Sequence, residues 1–184
     1  MAIKTFTSGE VLTASDTNTF LTNAGLVYIT GASYANVLAV SVNNCFSSTY
    51  DNYLLEYEVS SASDLSYLYL QLTTGGTAAT TNYGYGVHYT AWSAATDTYL
   101  NSGSTTSFLF SGYDAGVTRS ACQVQIFRPF ESVQAGFTTL STGRQLSFYG
   151  GGRHGTNASY DGFKIITTAG YMYGSYRVYG YRKA

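Results

Sequence analysis

The sequence predicts an all-β chain: an antiparallel β-sandwich, jelly-roll-like, preceded by an extended N-terminal arm and one short helix. Three observations carry this. Apolar residues recur with a period of two through most of the chain after residue 25. Turn-forming clusters interrupt the alternation at short intervals. No helical period is interleaved with the strand-like runs, which argues against a parallel α/β sheet. At 184 residues the chain is expected to form a single core, and it divides into an attachment segment, 1–25, and one β domain, 26–184.

The elements follow in order. Ile3 to Leu12 reads as an extended arm. Thr13 is placed to cap a helix, with Asp16 three positions later as the capping-box acid, and Ala14 to Asn23 forms that helix until Gly25 closes it. Phe20, Leu21 and Ala24 give it only a narrow apolar stripe, so a helix this short needs a partner surface to hold it. That surface is either its own domain or a neighbouring subunit. In the next runs Tyr53, Leu55, Tyr57 and Val59 alternate with Leu54, Glu56 and Glu58, and Leu68, Leu70 and Leu72 alternate with Tyr67, Tyr69 and Gln71. Similar runs are Leu26 to Thr30, Val37 to Val42, Gly86 to Ala91, Ser107 to Ser111, Ala121 to Phe127, Gly136 to Leu140, Gln145 to Tyr149, Phe163 to Thr167 and Tyr171 to Tyr181. Turns are expected at Asn43-Asn44, Thr74-Gly75-Gly76, Asn101-Ser102-Gly103, Tyr113 to Gly116, Gly150-Gly151-Gly152 and Asp161-Gly162.

Composition excludes several functions. Nine basic and ten acidic residues leave a net charge of -1, and only 10% of residues are charged. A nucleic-acid partner requires a basic stripe that displaces counterions, and none is present. No run of about 18 apolar residues exists, so membrane insertion is not expected. Residues 1–11 lack the apolar centre of a secretory signal, so the product is expected to stay where it is made, in the cytoplasm, or to leave by cell lysis. With 19 Tyr, 10 Phe and one Pro the chain does not resemble a disordered linker. Cys45 and Cys122 lie far apart among strand-like apolar residues, outside any CxxC pattern, and read as buried free thiols rather than a disulfide.

Chemistry-bearing constellations are few. Glu56 and Glu58 sit at i and i+2 on one strand face, the spacing that would hold two glycosidase carboxylates together, but adjacent outward acids usually form a solvated row. His88 and His154 are isolated and lack further ligands at metal-site spacing. No GxSxG elbow accompanies the many serines, and the glycine-rich stretch from Gly150 lacks the Lys-Ser/Thr ending of a phosphate loop. The expectation is no catalytic residue, no metal and no cofactor. Tyrosines define the remaining candidates. Tyr171, Tyr173, Arg177, Tyr179 and Tyr181 share one face of the last strand and suit a subunit or ligand contact. Tyr85, Tyr89, Trp92 and Tyr99 lie in an aromatic, hydroxyl-rich stretch that suits a saccharide, although core or subunit packing is the competing reading.

The opening Lys4-Thr5-Phe6-Thr7-Ser8-Gly9-Glu10-Val11-Leu12-Thr13-Ala14-Ser15-Asp16-Thr17-Asn18 resembles the K-T-F-x-x-G-E-V-L-T-A-x-D-x-N opening of tailed-bacteriophage virion proteins, particularly minor tail and tail-fibre-like chains. Phe46 to Tyr53 and the ending Arg177 to Arg182 are similar to recurrent pieces of small phage structural proteins. The resemblance implies a non-enzymatic virion component, located on the particle and joined to other tail or capsid proteins through its opening segment. Phe6, Val11, Leu12, Phe20 and Leu21 are the apolar residues available for that attachment. It also implies a homo-oligomer, trimers being frequent among such proteins, although no heptad repeat supports one. Two placements fit: a tail-fibre-like outer component contacting a host-surface glycan, or a capsid decoration protein that cements the head. A stand-alone carbohydrate-binding module is the reading from another functional class.

Overall fold

The computed structural model describes residues 7–11, 13, 25–91, 96–113, 119–143 and 146–182. These contain strands and no helix; the expected helix from Ala14 to Asn23 lies outside the described residues. The strands are β1 (Leu26–Val37), β2 (Ala39–Val42), β3 (Tyr50–Ala62), β4 (Ser66–Thr74), β5 (Thr77–Ala78), β6 (Tyr83–Ala91), β7 (Thr96–Thr105), β8 (Phe108–Tyr113), β9 (Ser120–Phe127), β10 (Val133–Thr142), β11 (Leu146–Ala158), β12 (Gly162–Thr167) and β13 (Met172–Arg182). One antiparallel sheet has eight strands in the order β1-β13-β3-β9-β10-β11-β6-β7. The other runs β2-β12-β4-β5, with β8 also paired to β4. From β1 to β4 the chain alternates between the sheets at every strand, which stitches the two layers together.

Period-two patterning explains the layering. In β9, Ser120, Cys122, Val124 and Ile126 are buried while Ala121, Gln123 and Gln125 are exposed. In β10, Ala135, Phe137, Thr139 and Ser141 are buried between more exposed neighbours. The inward rows of both sheets meet in one core: Tyr53, Leu55, Tyr57, Val59, Val124, Ile126 and Val178 from the larger sheet, and Leu68, Leu70, Leu72, Phe163 and Ile165 from the smaller. Each large aliphatic or aromatic side chain buried there contributes roughly 1.5–3 kcal/mol. Phe108 stacks on Phe137 at 4.8 Å and joins the sheets where β8 lies against the larger one.

Tyrosine enters this core because its hydroxyl finds a partner there. The Tyr53 hydroxyl donates to the Ser47 carbonyl at 2.9 Å and accepts from the Ser47 N–H at 2.7 Å. Tyr83 accepts from the Leu72 N–H at 2.7 Å, tying β6 to β4. His154 is buried with Nδ1 3.1 Å from the Tyr160 hydroxyl and its ring edge-on to Tyr83. Both cysteines are free and buried, and burial pushes each thiol up to about 12.

Three expectations need correction. The Asn101-Ser102-Gly103 turn lies within β7, a strand the alternation did not announce. Gly150-Gly151-Gly152 is the middle of β11, not a turn; a side chain at Gly150 would meet the Gly86 carbonyl and Val87, and one at Gly152 would meet the Phe108 ring. Glycine there lets β6 and β8 approach β11 closely. The arm is not extended throughout: the Glu10 N–H donates to the Thr7 carbonyl at 3.0 Å, with Gly9 at φ 89°, so the chain reverses at Thr7–Glu10.

Replacing Phe108 by Ala is expected to cost about 3–5 kcal/mol in urea unfolding, whereas Tyr171→Ala at an exposed turn should stay within about 0.5 kcal/mol. Burial is the main cause that holds His154 below its ordinary 6.5. A histidine kept neutral in the fold contributes stability that is complete above the unfolded value and falls as pH drops through it toward the depressed folded one. The urea midpoint should therefore decline between about pH 7.5 and about pH 5.5, and a His154→Gln variant, less stable throughout, should lose that slope in this window.

Candidate functional site

The outer face of the larger sheet carries the side chains that the core does not use. Register partners place Arg177 (β13), Glu56 (β3), Gln123 (β9), Leu140 (β10), Tyr149 (β11), His88 (β6) and Tyr99 (β7) in one transverse row. Beside it run Tyr179, Leu54, Gln125, Thr138, Gly151, Gly86 and Asn101. On the other side lie Ser175, Glu58, Ala121, Thr142, Ser147, Thr90 and Asp97.

One end of this face is an open trough of about 320 Å³, lined by Glu56, Glu58, Gln123, Leu140, Ser175 and Arg177 among others. That volume lies in the range of small-ligand clefts. Glu58 faces Arg119 at 3.4 Å, a partly exposed pair of small energetic weight. The Tyr179 phenol is held above its usual range, by desolvation first and by Glu56, its hydrogen-bond partner, second. Gln125 is fixed at both ends of its amide: Nε2 donates to the Tyr181 hydroxyl at 3.2 Å, and Oε1 accepts from Thr138 at 3.2 Å.

The other end is aromatic. His88 stacks on Tyr149 with ring centroids 5.1 Å apart and planes 7° from parallel, and packs against Tyr99 at 4.7 Å. Its Nδ1 lies 3.8 Å from Asp97. Tyr99 lies down over Gly86, where a β-carbon would fall 2.6 Å from the tyrosine hydroxyl and 3.3 Å from the ring. Phe127 lies in the same way along Gly136, 3.5 Å from its missing β-carbon. Tyr99, Tyr149 and Leu140 remain 54%, 49% and 60% exposed.

The structure divides the residues singled out from sequence. Glu56 and Glu58 do share the outward face, in an open trough where each carboxylate already has a partner. His88 and His154 lie on opposite faces of the sheet, one outside and one in the core. Tyr85 and Tyr89 point inward, toward Phe108 and Phe148, while Tyr99 points outward, so these three do not form one platform. Trp92 lies outside the described residues. The inward pair meets Tyr67 and Tyr69 instead: Tyr67 hydrogen-bonds Tyr89, Tyr69 lies beside Tyr85, and desolvation pushes the phenols of Tyr67, Tyr69 and Tyr85 up.

The last-strand set is likewise spread along β13. Tyr181 pairs with Leu26 near one end of the sheet, and Tyr173 hydrogen-bonds Asn36 near the other. Tyr171 and Tyr173 collect at that far end with Leu38 and Leu65, all exposed. Of the attachment residues only Val11 is described, and it is 78% exposed; Phe6, Leu12, Phe20 and Leu21 lie outside the described residues. Sequence reasoning missed Gln123, Gln125, Tyr149 and Phe127. The signal available for the two glutamines was their alternation with Cys122, Val124 and Ile126.

No family model matches the chain, and no curated protein matches it. Among solved structures, the CBM2 module of the evolved Dit of Lactobacillus casei BL23 phage J-1 is similar, with a TM-score of 0.30 and 7% identity, covering 79% of this chain and 69% of that one. A score of 0.30 is below that of a shared fold.

Proposed function

We propose that this chain is a non-enzymatic bacteriophage virion protein, fastened to other virion proteins through residues 1–25 and displaying its β domain as a jelly-roll-like, tail-fibre-like outer component in contact with the host surface. The observation that carries this reading is the two-ended layout of the domain. Leu26, where the opening segment joins β1, is paired with Tyr181 of the last strand, so the attachment segment leaves from the end where β13 finishes. Leu38, Leu65, Tyr171 and Tyr173 are exposed at the opposite end. About twelve residues of β1, roughly 40 Å of extended strand, separate the two ends.

Several further features support it. The phage-like opening supplies apolar residues, and Val11 stands exposed rather than packed on its own domain. Glu56 and Glu58 are partnered in an open trough, and both thiols are buried and neutral, so these four groups, among the described residues, are not set up as a nucleophile or as a paired acid and base. Homo-oligomers, trimers included, are compatible with display from one end.

Deletion of residues 1–25 is expected to leave a cooperatively folding domain whose melting temperature moves by less than about 4 °C, the shift that about 1 kcal/mol gives a chain of this size. The same deletion should remove the protein from purified particles. Particles lacking it should adsorb poorly to host cells; heads that lose heat resistance with normal adsorption would favour capsid decoration instead. An unfolded deletion product, or one still incorporated, would contradict the fastening role.

A further inference from the structure

We propose that the transverse row on the outer face of the larger sheet, from Arg177 to Tyr99, is a binding track for an extended, uncharged polysaccharide strand. Contact with a host glycan rests on the displayed position proposed above; the binding itself rests on the residues of this face.

The aromatic end is built to present ring surface. Gly86 has no side chain, and Tyr99 occupies the space one would fill. The ring therefore lies along the sheet instead of standing away from it. His88 is tilted 39° against Tyr99 and stacks face to face on Tyr149, so these two rings cover one face of each other and add ring edges beside the Tyr99 face. A sugar ring has a face of C–H groups that packs on such a surface and a rim of hydroxyls that needs hydrogen-bonding groups at its edge. Asn101, Thr138 and Gln125 stand along one side of the aromatic row, and Thr90 and Asp97 along the other. The amide of Gln125 is held in place by Tyr181 and Thr138, so little side-chain freedom remains to be lost on binding.

Charge decides the class of sugar. Glu58 faces Arg119 and Glu56 has Arg177 as its register partner, so the glutamates along the row are matched by arginines. An anionic polymer would require a net basic face, which is not present. Shape decides between a single sugar and a chain. The trough at the Glu56 end is open, and the row continues from it across Leu140 to the edge strand β7. Six strand spacings separate β13 from β7, about 29 Å in all. A track of that length, with no end wall among the described residues, accepts the interior of a polymer.

The test is affinity electrophoresis of the full chain in gels containing soluble glucomannan, galactomannan, xyloglucan or dextran, with alginate as the anionic comparison. At least one uncharged polymer should retard the protein while alginate does not. Tyr99→Ala and Tyr149→Ala should each weaken retardation about tenfold, and Gly86→Val should do the same by displacing the Tyr99 ring. Glu131→Ala, on the turn between β9 and β10 and off this row, should bind like the parent. Because Tyr99 and Tyr149 are exposed, circular dichroism and melting of these two variants should match the parent. The proposal is overturned if no uncharged polymer retards the parent, if alginate retards it more strongly, or if both tyrosine variants bind unchanged. It is also overturned if those variants dissociate an oligomer, which would make this face a contact between copies of the chain. Absence of the protein from particles, with gel retardation intact, would remove the display reading and leave the track standing.

Discussion

Strand side chains point alternately to the two sides of a sheet, and the larger sheet has eight strands where the layer facing it has five. Everything else about the molecule depends on that mismatch. The inward rows can be buried together, and they are, in a core that runs from Leu55 and Val124 to Leu70 and Phe163. The outward rows of the larger sheet have no covering layer among the described residues. They must be compatible with water without a partner, which is why, Leu54 and Leu140 apart, they carry mainly Glu, Gln, Arg, Thr and tyrosine where the inner rows carry leucine and valine.

Glycine makes the crowded end of this arrangement workable. In β11, Gly150 and Gly152 face neighbouring backbone and the Phe108 ring, where a β-carbon would collide. Gly86 performs the outward counterpart under Tyr99. Glycine weakens a strand in isolation through its conformational freedom, so these positions favour close contact at the expense of local strand preference. The phenylalanine and tyrosine rings brought into place there offset that weakness through burial and ring contacts.

This trade also explains what was legible in the sequence. Alternation in Tyr53 to Val59, Leu68 to Leu72 and Ala121 to Phe127 revealed strands whose inner rows are apolar throughout. It failed for β7, where Asn101, Ser102 and Gly103 read as a turn but are held in the strand by pairing with β6. It failed again at Gly150 to Gly152, because the reason for glycine there lies in β6 and β8, far away in sequence. The candidate saccharide residues show the same limit. Tyr85, Tyr89 and Tyr99 look continuous in sequence, yet the register of β7 against β6 puts Tyr99 on the side opposite the other two. Tyr149 and Gln123 meet Tyr99's row only through register, which a single sequence does not display. The parity of β13 was legible: Met172 and Val178 are buried and Tyr171 and Tyr173 exposed. Its tyrosines are nevertheless distributed from one end of the sheet to the other instead of forming one contact.

The central claim is that the domain is held at its Leu26 and Tyr181 end and keeps the outer face of its larger sheet uncovered. A reconstruction of the whole particle at side-chain resolution tests it most directly. The account predicts residues 1–25 in contact with another virion protein, and the row from Arg177 to Tyr99 open to solvent. Finding that row buried against a neighbouring subunit, or residues 1–25 folded onto their own β domain without touching another chain, would contradict it.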